Sequence, residues 1–309
     1  PMAAAAAART VLVTGGTGNI GLAFVKCLAT HADAPAVRVA TRNTDGDAAR
    51  LAASFAPGRV TPVAFDVDDE AKMAAAFEGV TDLFIIAPFI PATMKEWHEA
   101  VMAAAVKAGT VEYVVKVSVT GARAPDTDPP PGRIPSAHYA GEEAVRASGI
   151  ANTVIRPTIF WQHFMNMKQL YAAHDDKFYL PTGDAKVAFV DCRDIAAFAA
   201  ALIMGPGRTE HNGKAYELTG PIAVTAADIA GILSAAGGQT IAHVDGAEAF
   251  EKHCADLGMP DMIKHVYHEA AGGWFGKIEH DPFTAVVGRT PNSFGITASD
   301  YSSHFAASP

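Results

Sequence analysis

Through the first half of the chain, short β-branched apolar runs alternate with longer Ala-rich stretches whose apolar residues recur at helical spacing. That order builds βαβ units around a parallel sheet. The runs predict six strands, Thr10–Thr14, Val37–Arg42, Val60–Asp66, Asp82–Pro88, Tyr113–Gly121 and Asn152–Pro157. Between them, DDEAKMAAAFEG reads as a helix that Asp68 can cap and Gly79 can end, and KEWHEAVMAAAVKAG as another. APDTDPPPGRIPS holds too much Pro and Gly for either element and is expected to be a mobile loop after the fifth strand. After Pro157 the alternation breaks, returning once in KVAFVDCRDIAAFAAALIM and the strand-like AYELTG. The expected fold is α/β, a doubly wound parallel sheet over residues 9–157 plus about 186–220, with a smaller discontinuous lobe over about 158–185 and 221–309.

Composition narrows the function. Half of the 309 residues are hydrophobic, enough for a sizeable core, and 18% are charged. A net charge of −9 without any basic run argues against a nucleic-acid binder. Cys27, Cys192 and Cys254 are far apart and odd in number, which suits a reducing compartment better than a zinc site or redox pair. PMAAAAAART lacks the pattern of an export signal, and no run reaches the roughly 18 apolar residues of a membrane span. The expectation is a cytoplasmic protein with no membrane or nucleic-acid partner and an open oligomeric state.

The candidate chemistry starts in TVLVTGGTGNIGLAFVKCL, Thr10–Leu28, whose glycines read as Gly16, Gly18, Gly21 or as Gly15, Gly18, Gly21. A lone GxGxxG is weak, but strand, glycine turn and helix in one βαβ unit point to a dinucleotide. Without Cβ atoms, such a turn lets a pyrophosphate reach the N–H groups at the positive end of a helix starting near Asn19. Thr17 and Asn19 add side-chain donors.

The second strand ends ATRN, where an acidic residue would hold the ribose of NAD. Arg42 instead offers a planar cation for a 2′-phosphate, which favours NADP. Asp45 keeps NAD in play as the lesser alternative, and Arg42 as a solvated strand-end charge is the other. Asp66 and Val67 end the third strand, where they would meet an adenine edge or enter the next helix with Asp68 and Asp69.

Taken in order, VTGGTGNIG, VVKVSVTGA, HYAGEEAVRASGIANTVIRPTIFWQHFMN, KVAFVDCRDIAAFAAALI, YELTGP and VGRTPNSF resemble the NmrA-like group of atypical short-chain dehydrogenases/reductases over nearly the whole chain. The resemblance implies a Rossmann domain, a small C-terminal substrate lobe, and a nucleotide lying across the C-terminal edge of the sheet. By position it implies Gly15, Thr17, Gly18, Asn19 and Ile20 at the pyrophosphate and Arg42 at the 2′ position. It also implies Ala87 and Pro88 at the ribose, and Ser118, Pro157 and Phe160 near the nicotinamide. The group includes quinone and azo-type reductases, ergot-alkaloid iminium reductases, and regulators that bind a dinucleotide to sense redox state.

Typical short-chain reductases set a Lys four residues after the catalytic Tyr. Here the residue four after Tyr139 is Glu143, and a carboxylate disfavours phenolate. The alternative register, His138 with Glu142, resembles the NmrA-like pattern and also lacks the lysine. Reducing a plain carbonyl needs a delivered proton, and losing an acid/base group typically costs ~10²-fold or more. Quinones, enones and iminium ions ask less, so the expectation is a reductase of a small aromatic or conjugated electrophile. Ser118, His138 and Tyr139 are the candidate catalytic residues, with His138 and Tyr139 equally readable as scaffold. A redox sensor acting through a protein partner is the alternative.

IFWQHFMNM leaves the sixth strand where α/β sheets build their crevice, bringing Phe160, Trp161, His163, Phe164 and Met165 together for a flat ligand or for the core between lobes. Phe89, Tyr171 and Trp274 complete the expected substrate pocket, with His174 and a flap at Ala270–Lys277 nearby. His265 and His268 stand at helical spacing beside Glu269, but without a third ligand they read as polar-face residues rather than a metal site.

Overall fold

A computed structural model describes residues 9–88, 90, 92–128, 132–165, 171–172, 176–205, 207–258, 264, 266–267, 272–273 and 275–305. The six apolar runs form six strands: β1 (Thr10–Val13), β2 (Ala36–Thr41), β3 (Val60–Ala64), β4 (Asp82–Ile85), β5 (Tyr113–Val117) and β6 (Ala151–Pro157). Helices α1 (Asn19–Ala29), α2 (Asp47–Ala52), α3 (Glu70–Phe77), α4 (Met94–Ala108) and α5 (Arg133–Ala147) alternate with them. Most predicted strands overran at the C-terminal end, because the residues just past a parallel strand leave the ladder to turn toward a helix or a ligand. The chain is a doubly wound α/β protein. Its seven-stranded sheet has the order β3-β2-β1-β4-β5-β6 and ends on β9 (Lys214–Leu218). The pairings along β3-β2-β1-β4-β5-β6 are parallel, and the order reverses beside β1, where open α/β sheets form their ligand crevice.

Two local expectations change. The cap of α3 is Asp69, whose Oδ1 accepts from Lys72 N at 3.0 Å, rather than Asp68; Gly79 follows the helix at φ +67°. The Pro-rich segment is shorter than expected, since α5 already begins at Arg133 and takes in Pro135. A proline in the first helical turn gives up an N–H that has no intrahelical acceptor there, so it does not break the helix.

The chain divides into two compact units, Pro1–Arg156 with Ile195–Tyr216, and Pro157–Asp194 with Glu217–Pro309. In the first, one face of the sheet packs Leu12, Leu83, Ile85 and Val114 against Phe77, Val101, Met102, Ala105 and Val145. In the second, Lys186–Val190 makes isolated bridges among the described residues, Phe160 to Val190 and Val187 to Val224. A three-stranded sheet of β10 (Ala242–Val244), β8 (Lys177–Tyr179) and β7 (Tyr171–Ala172) accompanies them. Its core gathers Trp161, Phe164, Phe178, Phe189, Phe250, Tyr267 and Phe294. Gly237 is fixed by close approach: a Cβ there would lie 2.2 Å from Phe305 O.

Candidate functional site

The glycine turn leaves β1 directly. Thr14 ties its start to the next strand, donating from Oγ1 to Ile86 O at 3.0 Å and accepting from Ile86 N at 2.8 Å. Each of the four glycines has its own reason. Gly15 takes φ +63°; a Cβ on Gly16 would come within 2.7 Å of Val39 Cγ1; and one on Gly21 would lie 2.2 Å from Gly15 O and 2.6 Å from Gly16 Cα. Gly18 is the N-cap of α1, so no side chain there accepts from the first-turn N–H groups, and no acidic residue stands in that turn. The two readings of the motif are thus both needed, Gly16 for packing against the strands and Gly15 for the turn.

Gly15, Thr17, Gly18 and Asn19 are exposed while Gly16 and Ile20 are buried. An anion can therefore approach the helix end through a surface that Cβ atoms would fill, and the cradle fits a dinucleotide pyrophosphate. Ile20 contributes its side chain to the core and only its backbone to the turn.

Around this turn the parallel strands bring their C-terminal ends to one edge. Arg42 is exposed just beyond β2, in a turn ordered by Asn43 N donating to Thr41 Oγ1 at 3.1 Å and Asp45 N donating to Asn43 Oδ1 at 3.0 Å. Beyond β3, Asp66 and Val67 are half-buried, and Asp66 Oδ1 accepts from Asp68 N at 3.2 Å. Ala87 and Pro88 follow β4, half-buried and exposed. Five predicted cofactor positions outside the glycine turn thus share its edge of the sheet.

Beyond β5 stands Ser118, 1% exposed, its N–H extending the ladder to Ile155 O at 2.7 Å. Its hydroxyl donates to Glu142 Oε1 at 2.6 Å. Glu142, fully buried on α5, also accepts two bonds from Arg156, at 2.9 and 2.6 Å, and one from Arg146 at 2.8 Å. Burial pushes its pKa up, but the bonds from Arg156 and Ser118 with the charges of Arg156 and Lys116 outweigh this and hold the carboxyl below its ordinary range. Tyr139 is half-buried on the same helix with the Arg146 guanidinium 5.9 Å from its ring centre.

A group that sequence reading passed over lies two residues before Ser118 and on the same strand face. Lys116 is fully buried, donates to Val117 O at 3.2 Å, and is pushed down to about 7 by burial, which outweighs the raising effect of Glu142. His98 on α4 and His138 on α5 are buried on that side as well. Burial and the Lys116 charge lower His98 to about 3 and hold His138 well below its ordinary value, so both rings are neutral. Against the His98 ring α5 carries Gly141, where a Cβ would come within 2.6 Å. The available signal was a lysine inside the otherwise apolar run YVVKV.

In the second unit, Pro157 is buried and Phe160 half-buried. Trp161 and Phe164, expected in a pocket, are each 1% exposed within the aromatic core, whereas His163 and Met165 are half-buried. His163 Nδ1 lies 2.6 Å from the Tyr267 hydroxyl, and burial lowers its pKa to about 4. Tyr171 stands on β7. Phe89, His174, His265, His268, Glu269 and Trp274 lie outside the described residues. Among the described residues no group of three or more His, Cys, Asp or Glu could hold a metal, and no helix is long and apolar enough to cross a membrane.

The profile of the NmrA-like family matches residues 7–282. An NAD(P)H azoreductase of Xenophilus azovorans is 32% identical over 304 residues, covering 96% of this chain and 99% of the azoreductase. The (4-alkanoyl-5-oxo-2,5-dihydrofuran-3-yl)methyl phosphate reductase of Streptomyces griseus is 33% identical over 228 residues, 70% of each chain. The solved NADPH complex of quinone oxidoreductase QOR2 from Escherichia coli superposes with a TM-score of 0.77 at 25% identity, covering 94% of this chain and 99% of that one.

Proposed function

The chain belongs to the NmrA-like family and is an NAD(P)H-dependent oxidoreductase, and from that premise we propose that it reduces a small aromatic or conjugated electrophile of quinone, iminium or enone type without a Tyr–Lys pair. What carries the reading is the character of α5. The residues three and four beyond Tyr139 are the carboxylates Glu142 and Glu143, and the Ser118 proton is already given to Glu142. Ser118 can then accept a hydrogen bond but has none left to donate to a developing alkoxide. An acceptor that spreads its incoming charge over a conjugated system depends less on such a donor. The azo, dihydrofuranone and quinone chemistry named for the three similar proteins supports the same class.

In this reading Gly15, Thr17, Gly18, Asn19 and Ile20 hold the pyrophosphate of NADPH, Arg42 its 2′-phosphate, Asp66 and Val67 the adenine, and Ala87 and Pro88 the ribose. The bound nicotinamide supplies the hydride. Ser118 fixes the local geometry through Glu142, with His138 and Tyr139 the candidate proton donors. In the second unit, Phe160, His163 and Met165 offer partly exposed aromatic and thioether surface for a flat acceptor.

NADPH oxidation followed with 1,4-quinones, azo dyes, cyclic iminium ions, enones and unactivated ketones tests the class. Turnover on one or more conjugated acceptors at least about a hundredfold above the unactivated ketones is expected. Comparable rates on unactivated ketones would defeat the reading. Cofactor choice is tested separately by Arg42→Ala, which should weaken NADPH binding about tenfold or more, the scale of one charged hydrogen bond, and leave NADH unchanged. Equal losses for both cofactors would show that Arg42 does not read the 2′-phosphate.

A further inference from the structure

Beside the face of β5 that carries Ser118 lie two buried, unpartnered ring nitrogens and one under-used donor. His98 Nε2 and His138 Nδ1 are buried without a hydrogen-bond partner among the described residues. The His98 Nδ1 lies 2.6 Å from Met94 O, so it is that nitrogen which bears the proton, and Nε2 is left as a lone pair. Lys116 Nζ has three N–H groups when charged and donates one, to Val117 O. Two donors therefore remain on Lys116, whose charge acts on both rings, and opposite them stand the His98 Nε2 lone pair and His138 Nδ1, an acceptor in the Nε2–H tautomer. The remaining charged neighbours are Glu142 and Arg146 from α5 and Arg156 from β6. A buried ammonium beside two neutral imidazoles is costly to keep, and among the described residues it makes none of the ion-pair contacts that Glu142 makes with Arg156 and Arg146.

We propose that Lys116, His98 and His138 form a buried proton store, in which the Lys116 ammonium turns its two undonated N–H groups to the unpartnered His98 Nε2 and His138 Nδ1 when it gives up its proton, and His138 passes a proton from Nε2–H to the acceptor being reduced. The inference rests on the reductase reading above and deepens it by naming where the second hydrogen comes from. For a quinone, the hydride brings two electrons and one hydrogen. The other hydrogen leaves His138 Nε2 as a proton while Nδ1 takes one from Lys116, so the ring stays neutral and exchanges its tautomer. Lys116 is left as an amine; after product leaves, solvent protonates His138 Nε2 and Nδ1 returns its proton to Lys116, which restores both the ammonium and the Nε2–H tautomer. Lys116 touches no reacting atom; it is a positioning residue acting through His138. Burial that brings its pKa to about 7 makes the amine form accessible in the working range, which an ordinary lysine does not do.

The sign of the pH effect follows. The store is charged below about pH 7 and empties as pH rises, while both histidines stay neutral throughout. With NADPH and 1,4-naphthoquinone, wild-type kcat should be flat below about pH 7 and fall toward tenfold per unit above it. Lys116→Met, similar in length and apolar, should give a kcat about tenfold or more lower at pH 6, without that descending limb and with an unchanged Kd for NADPH. A cationic triarylmethane dye takes hydride without a proton and serves as a second acceptor; Lys116→Met should slow its reduction far less than it slows that of 1,4-naphthoquinone, and equal slowing of both would count against the inference.

A measurement without turnover stands beside these. NMR of wild-type protein carrying 15N-labelled lysine should show one buried Nζ titrating near pH 7, missing in Lys116→Met, with the His138 ring signals shifting in step. A wild-type pH profile in Lys116→Met, or a Lys116 Nζ that titrates with the surface lysines, overturns the inference. Absence of wild-type turnover on every quinone while the Nζ titrates near pH 7 would instead count against the reductase reading, so the two failures are distinguishable.

Discussion

Replacing Gly21 by alanine is expected to abolish NADPH binding and to destabilise the fold together, whereas Gly18→Ala should weaken binding alone. At Gly21 a Cβ would sit 2.2 Å from Gly15 O and 2.6 Å from Gly16 Cα, both backbone atoms that cannot swing aside. The turn must therefore open and α1 must shift, an overpacking cost of about 1–3 kcal/mol or more. At Gly18 the nearest atom to an added Cβ is Gly15 O at 3.4 Å, an ordinary contact, so the folded chain tolerates it. That Cβ nevertheless stands at the N-cap, on the exposed surface through which an anion reaches the first-turn N–H groups. Losing two charge-assisted bonds at about 1.5–3 kcal/mol each raises Kd by a hundredfold or more. Fluorescence titration with NADPH and thermal melts of the apo-proteins check both halves. Wild-type affinity in Gly21→Ala, or a melting loss in Gly18→Ala with unchanged affinity, would show that the turn is not the phosphate cradle.

Glu142→Ala should be the most destabilising single substitution of a carboxylate in the first unit. The side chain is fully buried and accepts from Ser118, Arg156 and Arg146, and its removal takes two bonds from Arg156, one from Arg146, which keeps Glu143, and the carboxylate neighbouring the Lys116 ammonium. Breaking a buried pair by deleting one partner costs about 3–5 kcal/mol. At about 2–4 °C per kcal/mol for a chain of this class, the melting temperature should fall by roughly 6–20 °C at pH 7. The pH dependence is fixed by the direction of the shift. The folded pKa is held below the ordinary 4.5, so the carboxylate's contribution is complete above that value and disappears as pH falls through the folded pKa. The gap between wild type and Glu142→Ala should narrow on acidification below about pH 4. A gap that stays constant to pH 3, or no loss at pH 7, would mean that the network contributes little.

The layout of the first unit was legible because parallel strands advertise themselves as short β-branched runs, and because four glycines at one strand end serve almost no purpose but close approach. The edges were less legible. Strand ends were overrun at Asp66, Pro88 and Gly121, since an apolar residue leaving the ladder looks the same as one inside it. Asp68 and Asp69 are adjacent acids that could each cap α3, and only the backbone geometry chooses between them. Trp161 and Phe164 read as pocket or core equally well, because both environments select large aromatics, and their burial places them in the core of the second unit. The Lys116–His98–His138 group was invisible for a different reason. Its members are 18 and 22 residues apart along the chain, on a strand and two helices, and only the sheet brings them to one side. Glu142 could be seen as a departure from the Tyr–Lys pattern, but not as the acceptor that takes the Ser118 proton.

The most direct measurement is a single turnover: enzyme preloaded with NADPH bearing deuterium at the transferable C4 position, mixed with excess 1,4-naphthoquinone. The expected result is loss of nicotinamide absorbance in one kinetic phase, slowed relative to unlabelled NADPH by a primary isotope effect. Tight NADPH binding with no oxidation by this or any other conjugated acceptor would contradict hydride transfer and leave a chain that holds the nucleotide only to sense it.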